Sequence, residues 1–347
     1  MRIMISLLLI SIFAGIGHIG IASSAEIELV GAGSTFVYPL FSKMFDVYSQ
    51  EYGVKVNYQS IGSGGGQRQL IDKIIDFGGS DAYLTDDQLK ATDSEILHVP
   101  ICLGAVVLTY NLPGIKEIKF TPDLVADIFL GKIKRWDDDK LKKVNGGLNL
   151  PTIPIMVVHR SDGSGTTAIF TDYLYKVSKE WSNQVGKGTA VNWKIGLGGK
   201  GNEGVAGLIK NIKGSIGYVE LIYAKQNNMP IGIVKNKKGN FIKPSIGSVS
   251  LAADVLLPDD MRVSITDTDA EGGYPISGFT WIIIYKEQKY LNRTKKKVEV
   301  LSKLLWWMTH EGQKYAESLE YAPLSEKARV KAETIIKSMT YAEHRVL

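Results

Sequence analysis

Three short polar segments of this 347-residue chain share one grammar. They are Gly31-Ala32-Gly33-Ser34-Thr35-Phe36, Gly62-Ser63-Gly64-Gly65-Gly66 and Arg160-Ser161-Asp162-Gly163-Ser164-Gly165-Thr166. Each lies between a β-type run and a helical pattern, so small hydroxyl residues and bare amides fall at a helix N-terminus. There the first four N–H groups lack intrahelical partners and carry roughly half a positive charge, which suits an anion. Glycine lets the backbone approach a ligand, and Ser or Thr hydroxyls add donors. Each segment alone also reads as an ordinary capped helix start. If the three converge, they form a small-anion cage with many neutral donors and one cation, Arg160. An acidic counterpoint follows the second segment in Asp76-Phe77-Gly78-Gly79-Ser80-Asp81, where Asp81 reads equally well as a turn residue. Thr85-Asp86-Asp87 then caps another helix.

The elements that must position these turns follow from periodicity. The spacing predicts strands at 27–30, 54–59, 96–101, 103–110, 155–159, 216–220 and 278–285. It predicts helices at 37–52, 67–75, 123–130, 166–176, 203–210, 298–309 and 326–338. Residues 235–240 read as a hairpin tip, and the charge run at 295–297 as a solvated helix start. Strands alternating with helices imply an α/β fold with a mainly parallel sheet. Neither an internal repeat nor a low-complexity segment is evident.

Composition bounds the function. Hydrophobic residues make up 44% and charged residues 22%, with mean hydropathy of −0.01, as expected of a soluble globular protein of about two domains. The single cysteine, Cys102, rules out an intramolecular disulfide and a cysteine-based zinc site. A net charge of +5, spread along the chain, gives no support for nucleic-acid binding. After Arg2 the chain is uncharged to Ala25 and closes in Ala22-Ser23-Ser24-Ala25, a signal-peptide pattern with cleavage expected after Ala25. An uncleaved membrane anchor is the alternative, because the run is long enough to span a bilayer. Without a cysteine at the junction, a lipid-anchored form is excluded.

Several tempting motifs carry little. Gly196-Leu197-Gly198-Gly199-Lys200-Gly201 fits a dinucleotide fingerprint, but 191–195 is a poor buried strand to precede it. His98, His159, His310 and His344 show no ligand spacing and read as surface or packing residues. Ser164 has no obvious histidine base, and Gly-Ser-Gly is not a nucleophile elbow.

Five motifs resemble the family of bacterial periplasmic phosphate-binding proteins that feed the high-affinity phosphate ABC transporter (the PstS family). They are Gly-Ala-Gly-Ser-Thr-Phe, Ile-Gly-Ser-Gly-Gly-Gly, Asp-Phe-Gly-Gly-Ser-Asp, Arg-Ser-Asp-Gly-Ser-Gly-Thr and Gly-Leu-Gly-Gly-Lys-Gly-Asn-Glu-Gly, in order over essentially the whole chain after residue 25. The resemblance implies an α/β, two-lobe periplasmic binding protein fold of type II, with the ligand in the cleft between lobes. Residues 1–25 would be the signal peptide, 26–102 plus 279–347 one discontinuous lobe, and 103–278 the other. Phosphate would be held by Ser34, Thr35, Phe36 (through its N–H), Ser63, Asp81, Arg160, Ser164, Gly165 and Thr166, with Asp162 pairing the arginine. Asp81 would select the protonated oxyanion.

The same resemblance implies neither catalytic residue nor metal nor cofactor. It places a monomer in the periplasm, with inorganic phosphate and two membrane permease proteins with their ATPase as partners. One departure is Gly64, where a serine is commoner. Three rival readings stay open: an exported phosphatase, which would need a base or metal near Ser164; a receptor for sulfate or molybdate; and a surface scavenger or adhesin on the same fold.

Overall fold

The computed structural model describes residues 27–347, so the expected signal peptide lies outside the described residues. Eight strands form one sheet: β1 (Glu28–Gly33), β2 (Lys55–Ser60), β3 (Phe77–Ser80), β4 (Ile96–Tyr110), β5 (Met156–Arg160), β6 (Leu197–Gly199), β7 (Ser215–Glu220) and β8 (Ser277–Tyr285). Their order is β2-β1-β3-β8-β4-β7-β5-β6. The pairs β1/β2, β1/β3, β5/β6 and β5/β7 are parallel. The pairs β3/β8, β8/β4 and β4/β7 are antiparallel. The sheet is therefore mixed rather than mainly parallel. Two parallel triplets are joined by the antiparallel strands β8 and β4, which run between the two halves.

β4 joins the two apolar runs that the sequence separates at Cys102. Its first part pairs with β8 and its last five residues with β7. All of β8 and all of β4 except Leu97 is buried or nearly so. That burial on both faces explains why these runs read as continuously apolar instead of alternating.

Four helices position the polar segments: α1 (Tyr38–Tyr52), α2 (Ser63–Ile71), α3 (Gly165–Val177) and α4 (Gly201–Asn211). α1 buries Leu40, Phe41, Met44, Phe45, Val47 and Tyr48, a helical spacing. It stops at Gly53, whose left-handed backbone (φ 65°) turns its N–H back onto the Ser49 carbonyl at 2.9 Å.

Two boundaries differ from expectation for one reason, close backbone approach. β1 continues through Gly33, because a Cβ there would lie 2.0 Å from the Gly79 carbonyl oxygen. α2 begins at Ser63 instead of Gln67, with three glycines in its first turn. Each costs about 1 kcal/mol of helix propensity, yet a Cβ on Gly66 would meet the Gly33 Cα at 2.6 Å. The helix start is thus pressed flat against the end of β1. α2 also ends earlier than 75, at Ile71.

The expected hairpin forms from Ile233–Lys235 and Phe241–Ile242. The run at 295–297 is less solvated than its charge suggests, since Lys297 Nζ reaches the buried Asp76 at 2.8 Å.

Candidate anion-binding site

The three polar segments converge. β1, α2 and β3 bring Ser34, Thr35, Ser63 and Asp81 to one face, and β5 with α3 brings Arg160, Ser164, Gly165 and Thr166 to the other. All these residues are buried. The faces touch: the Gly64 N–H donates to the Gly163 carbonyl at 2.9 Å. A Cβ on Gly165 would fall 2.4 Å from both Asp81 Oδ2 and Ser63 Oγ. Gly165 is therefore a glycine because the start of α3 abuts the opposite face.

Arg160 is the cation of the site. Its Nε donates to Asp162 Oδ1 at 2.8 Å and its Nη2 to Asp162 Oδ2 at 2.5 Å. This side-on fork leaves N–H bonds on Nη1 and Nη2 for other acceptors, one of which is Thr166 Oγ1 at 3.1 Å. Asp162 also accepts from the Gly201 N–H at 3.1 Å. Burial pushes its carboxyl up, but the hydrogen bonds and charge of Arg160 outweigh this and hold it below the ordinary range. Ser164 caps α3, accepting from the Thr167 N–H at 3.1 Å, which leaves its hydroxyl hydrogen to donate.

Among the described residues, the other face has an acid and no cation. Asp81 Oδ2 accepts from Ser34 Oγ at 2.6 Å and from Ser63 Oγ at 3.2 Å, and Oδ1 accepts from Thr280 Oγ1 at 2.7 Å. Burial raises its pKa to about 6, against the opposing pull of the three hydroxyls and of Arg160. The Ser63 hydroxyl oxygen in turn accepts from the Asp81 N–H at 3.1 Å.

The loop from Ser34 to Phe36 is fixed by three tyrosines. Tyr58, Tyr223 and Tyr321 donate their hydroxyls to the carbonyls of Ser34, Thr35 and Phe36 at 3.1, 2.6 and 2.5 Å. Among the described residues, the N–H groups of Thr35 and Phe36 meet no protein acceptor. They are the donors this loop holds toward a ligand.

Asn202, in the first turn of α4, is the largest omission of the sequence reading. Its Nδ2 donates to Thr35 Oγ1 at 2.8 Å and to Thr166 Oγ1 at 3.0 Å, so it ties both faces together. The signal was a polar residue directly after the glycine loop at 196–201, a loop that also contains β6. Thr280 was missed as well, although it is the lone hydroxyl inside the apolar run of β8. Asn202 stands inside the last of the five quoted motifs but carries no charge to mark it, and Thr280 lies in no motif at all.

The histidines divide between packing and surface positions: His344 is exposed, and His310 lies 3.1 Å from Glu333. His98 is buried, accepts from the Leu84 N–H at 3.0 Å and has its pKa driven to about 3 by that burial. His159 stacks on Trp193 with ring centroids 4.7 Å apart.

A buried, donor-rich polar cluster between two α/β halves joined by long strands is the architecture of a substrate-binding protein. Residues 20–311 match the family model of the PBP superfamily domain. The chain is 43% identical over 307 residues to the phosphate-binding protein PstS of Pasteurella multocida, covering 86% of this chain and 87% of that one. It is likewise 43% identical to PstS of Haemophilus influenzae, covering 86% and 89%. The chain belongs to the family of PstS phosphate-binding proteins. Its fold is the two-lobe one of a solved high-affinity periplasmic phosphate-binding protein with bound phosphate, PfluDING. That structure superposes with a TM-score of 0.71 at 19% identity, over 89% of this chain and 93% of that one.

Proposed function

We propose that this chain captures inorganic phosphate between its two lobes and hands it to the membrane permease of an ABC transporter. The observation that carries the reading is Asp81: a buried carboxylate, ringed by hydroxyl donors, facing the face that holds Arg160. An acceptor in an otherwise donor-rich anion cage has a use when the anion brings its own proton. The names of the PstS relatives support the same ligand.

Phosphate would be held by Ser34 and Ser63, whose hydroxyls would turn from Asp81 to the ligand, and by the Thr35 hydroxyl, the Phe36 N–H, Arg160, Ser164, Gly165 and Thr166, with Asp81 accepting the ligand's hydrogen bond. Asp162 would hold the guanidinium plane and offset its charge. The lobes would be 26–102 with 279–347, and 103–278, so that donors from both are satisfied only when the cleft closes. Ion pairs between these lobes support a closed arrangement. Arg262 Nη1 lies 2.7 Å from Asp86 Oδ1, and Lys225 Nζ lies 2.7 Å from Glu320 Oε2. The chain would act as a monomer in the periplasm after cleavage behind Ala25. Its closed form would be read by two permease proteins with an associated ATPase.

The role is binding rather than catalysis, as in the relatives. Calorimetric titration of the purified mature protein with inorganic phosphate should give one site per chain, without turnover of a phosphate ester. Absence of phosphate uptake, or measurable ester hydrolysis, would overturn the reading.

A further inference from the structure

We infer that Asn202 is a specificity-determining positioning residue: by saturating the oxygens of Thr35 and Thr166 it makes both hydroxyls pure donors toward the ligand. The inference rests on phosphate being that ligand. The argument begins with the amide's orientation. Asn202 Oδ1 accepts from the Glu220 backbone N–H at 2.9 Å, and a backbone N–H can only donate. The oxygen must therefore face Glu220 and the NH2 group must face the threonines.

Its two N–H bonds are then divided, one to Thr35 Oγ1 and one to Thr166 Oγ1. Each oxygen has a second donor as well. Thr35 Oγ1 receives the Asn202 backbone N–H at 3.3 Å, and Thr166 Oγ1 receives Arg160 Nη1 at 3.1 Å. A hydroxyl oxygen has two acceptor sites. With both filled, each threonine can only donate, and its hydrogen must point away from Asn202 and Arg160.

The consequence is a polarity assigned around the ligand. Oxygens facing Thr35 and Thr166 must be unprotonated, and a ligand proton is accepted on the Asp81 side. Phosphate with a single proton fits this pattern. Phosphate with two protons would set an O–H against a donor, leaving an unpaired polar contact in a dry cleft. Asn202 thereby acts on the choice of protonation state without serving as the acid or base.

The test is calorimetric titration with inorganic phosphate of the parent chain and of Asn202→Ala, well above and well below phosphate's second ionisation. Above it, the substitution should weaken binding roughly tenfold to hundredfold. Below it, the freed threonine oxygens can accept the ligand's second proton, and the loss should shrink to a few-fold. The charged and titratable groups around Asn202 are Arg160 beyond Thr166, Asp162 on the Gly201 N–H, Glu203 and Glu220 beside it, Tyr223 under Thr35, and Asp81 across the cage. All are present in both proteins, so the ratio of the two affinities isolates the amide.

A purely structural role, through the bond to Glu220, would lower affinity by the same factor at both pH values. That result, or an unchanged affinity, would overturn the inference while leaving phosphate binding intact. Failure of the parent itself to bind phosphate would instead sink the underlying reading. Should circular dichroism show that Asn202→Ala does not fold, Asn202→Ser carries the same test, its short hydroxyl being unable to serve both threonines.

Discussion

On the α3 face of the cage, Arg160 is clamped by Asp162 in a side-on fork and backed by the capped start of a helix. On the β1–β3 face no cation is present among the described residues; Ser34, Ser63 and Thr280 surround a carboxylate that burial lifts to a pKa of about 6. On the proposed reading one face would supply attraction, through an arginine already paired with its own carboxylate. The other would supply discrimination, because an ionised Asp81 can accept a hydrogen bond from an anion only if that anion carries a proton. A binding site divided this way can be tight without attracting every anion alike.

Substitutions on each face should sharpen this division. The largest effect is expected from Arg160→Ala, which removes the cation and strands Asp162 beside the ligand. Phosphate affinity should fall by about 3–5 kcal/mol, the cost of breaking a buried charge pair, or a hundredfold to several thousandfold, as read by calorimetry. Parent-like binding would place the attractive face elsewhere.

A second effect concerns stability of the ligand-free protein. The Asp81 carboxyl is raised from 3.8 to about 6 by burial, so the folded state holds a proton that the unfolded chain gives up. The resulting stabilisation is fully present below the unfolded value and is lost as pH rises through about 6. Denaturant titrations should lose about 2–3 kcal/mol across that window, and Asp81→Asn should flatten the dependence. A profile that does not change in this variant would assign the titration to another group.

Gly165→Ala tests the contact between the faces. Its methyl would fall 2.4 Å from Asp81 Oδ2 and Ser63 Oγ, and overpacking of this kind costs about 1–3 kcal/mol. Phosphate affinity should drop while the thermal stability of the ligand-free form, free to open, changes little. Ser63→Ala should be the mildest, about 1–2 kcal/mol for a lost donor, since Ser34 and Thr280 still reach Asp81.

The α/β architecture was legible because its strands and helices alternate with clear periods, and β5, α3, α4 and β7 fall within two residues of expectation at each end. The three polar turns were legible because glycine and hydroxyl residues at helix starts have few other uses in combination. What could not be read locally was the effect of one segment on another. β1 runs on through Gly33 and α2 starts at Ser63 because Gly79 and Gly33 lie against them, contacts across dozens of residues. The antiparallel passage of β4 and β8 is likewise a matter of sheet order, which no periodicity encodes. Asn202, Thr280 and the three tyrosines of the 34–36 loop are ordinary polar residues in sequence. Only the fold brings them within hydrogen-bond distance of the cage.

The central claim is that Asp81 discriminates anions by their protons, and competition between phosphate and sulfate tests it most directly. At neutral pH phosphate carries at least one proton and sulfate none. Against an ionised Asp81, sulfate should bind more weakly by about 2–5 kcal/mol, thirtyfold to several thousandfold. Arsenate, protonated as phosphate is, should bind, and Asp81→Asn should narrow the phosphate-to-sulfate ratio because its amide can donate. Below a pH of about 6, where Asp81 gains its own proton to offer, the parent's ratio should narrow too. A parent that binds sulfate within about tenfold of phosphate at neutral pH, or a ratio unmoved by Asp81→Asn, would contradict the account.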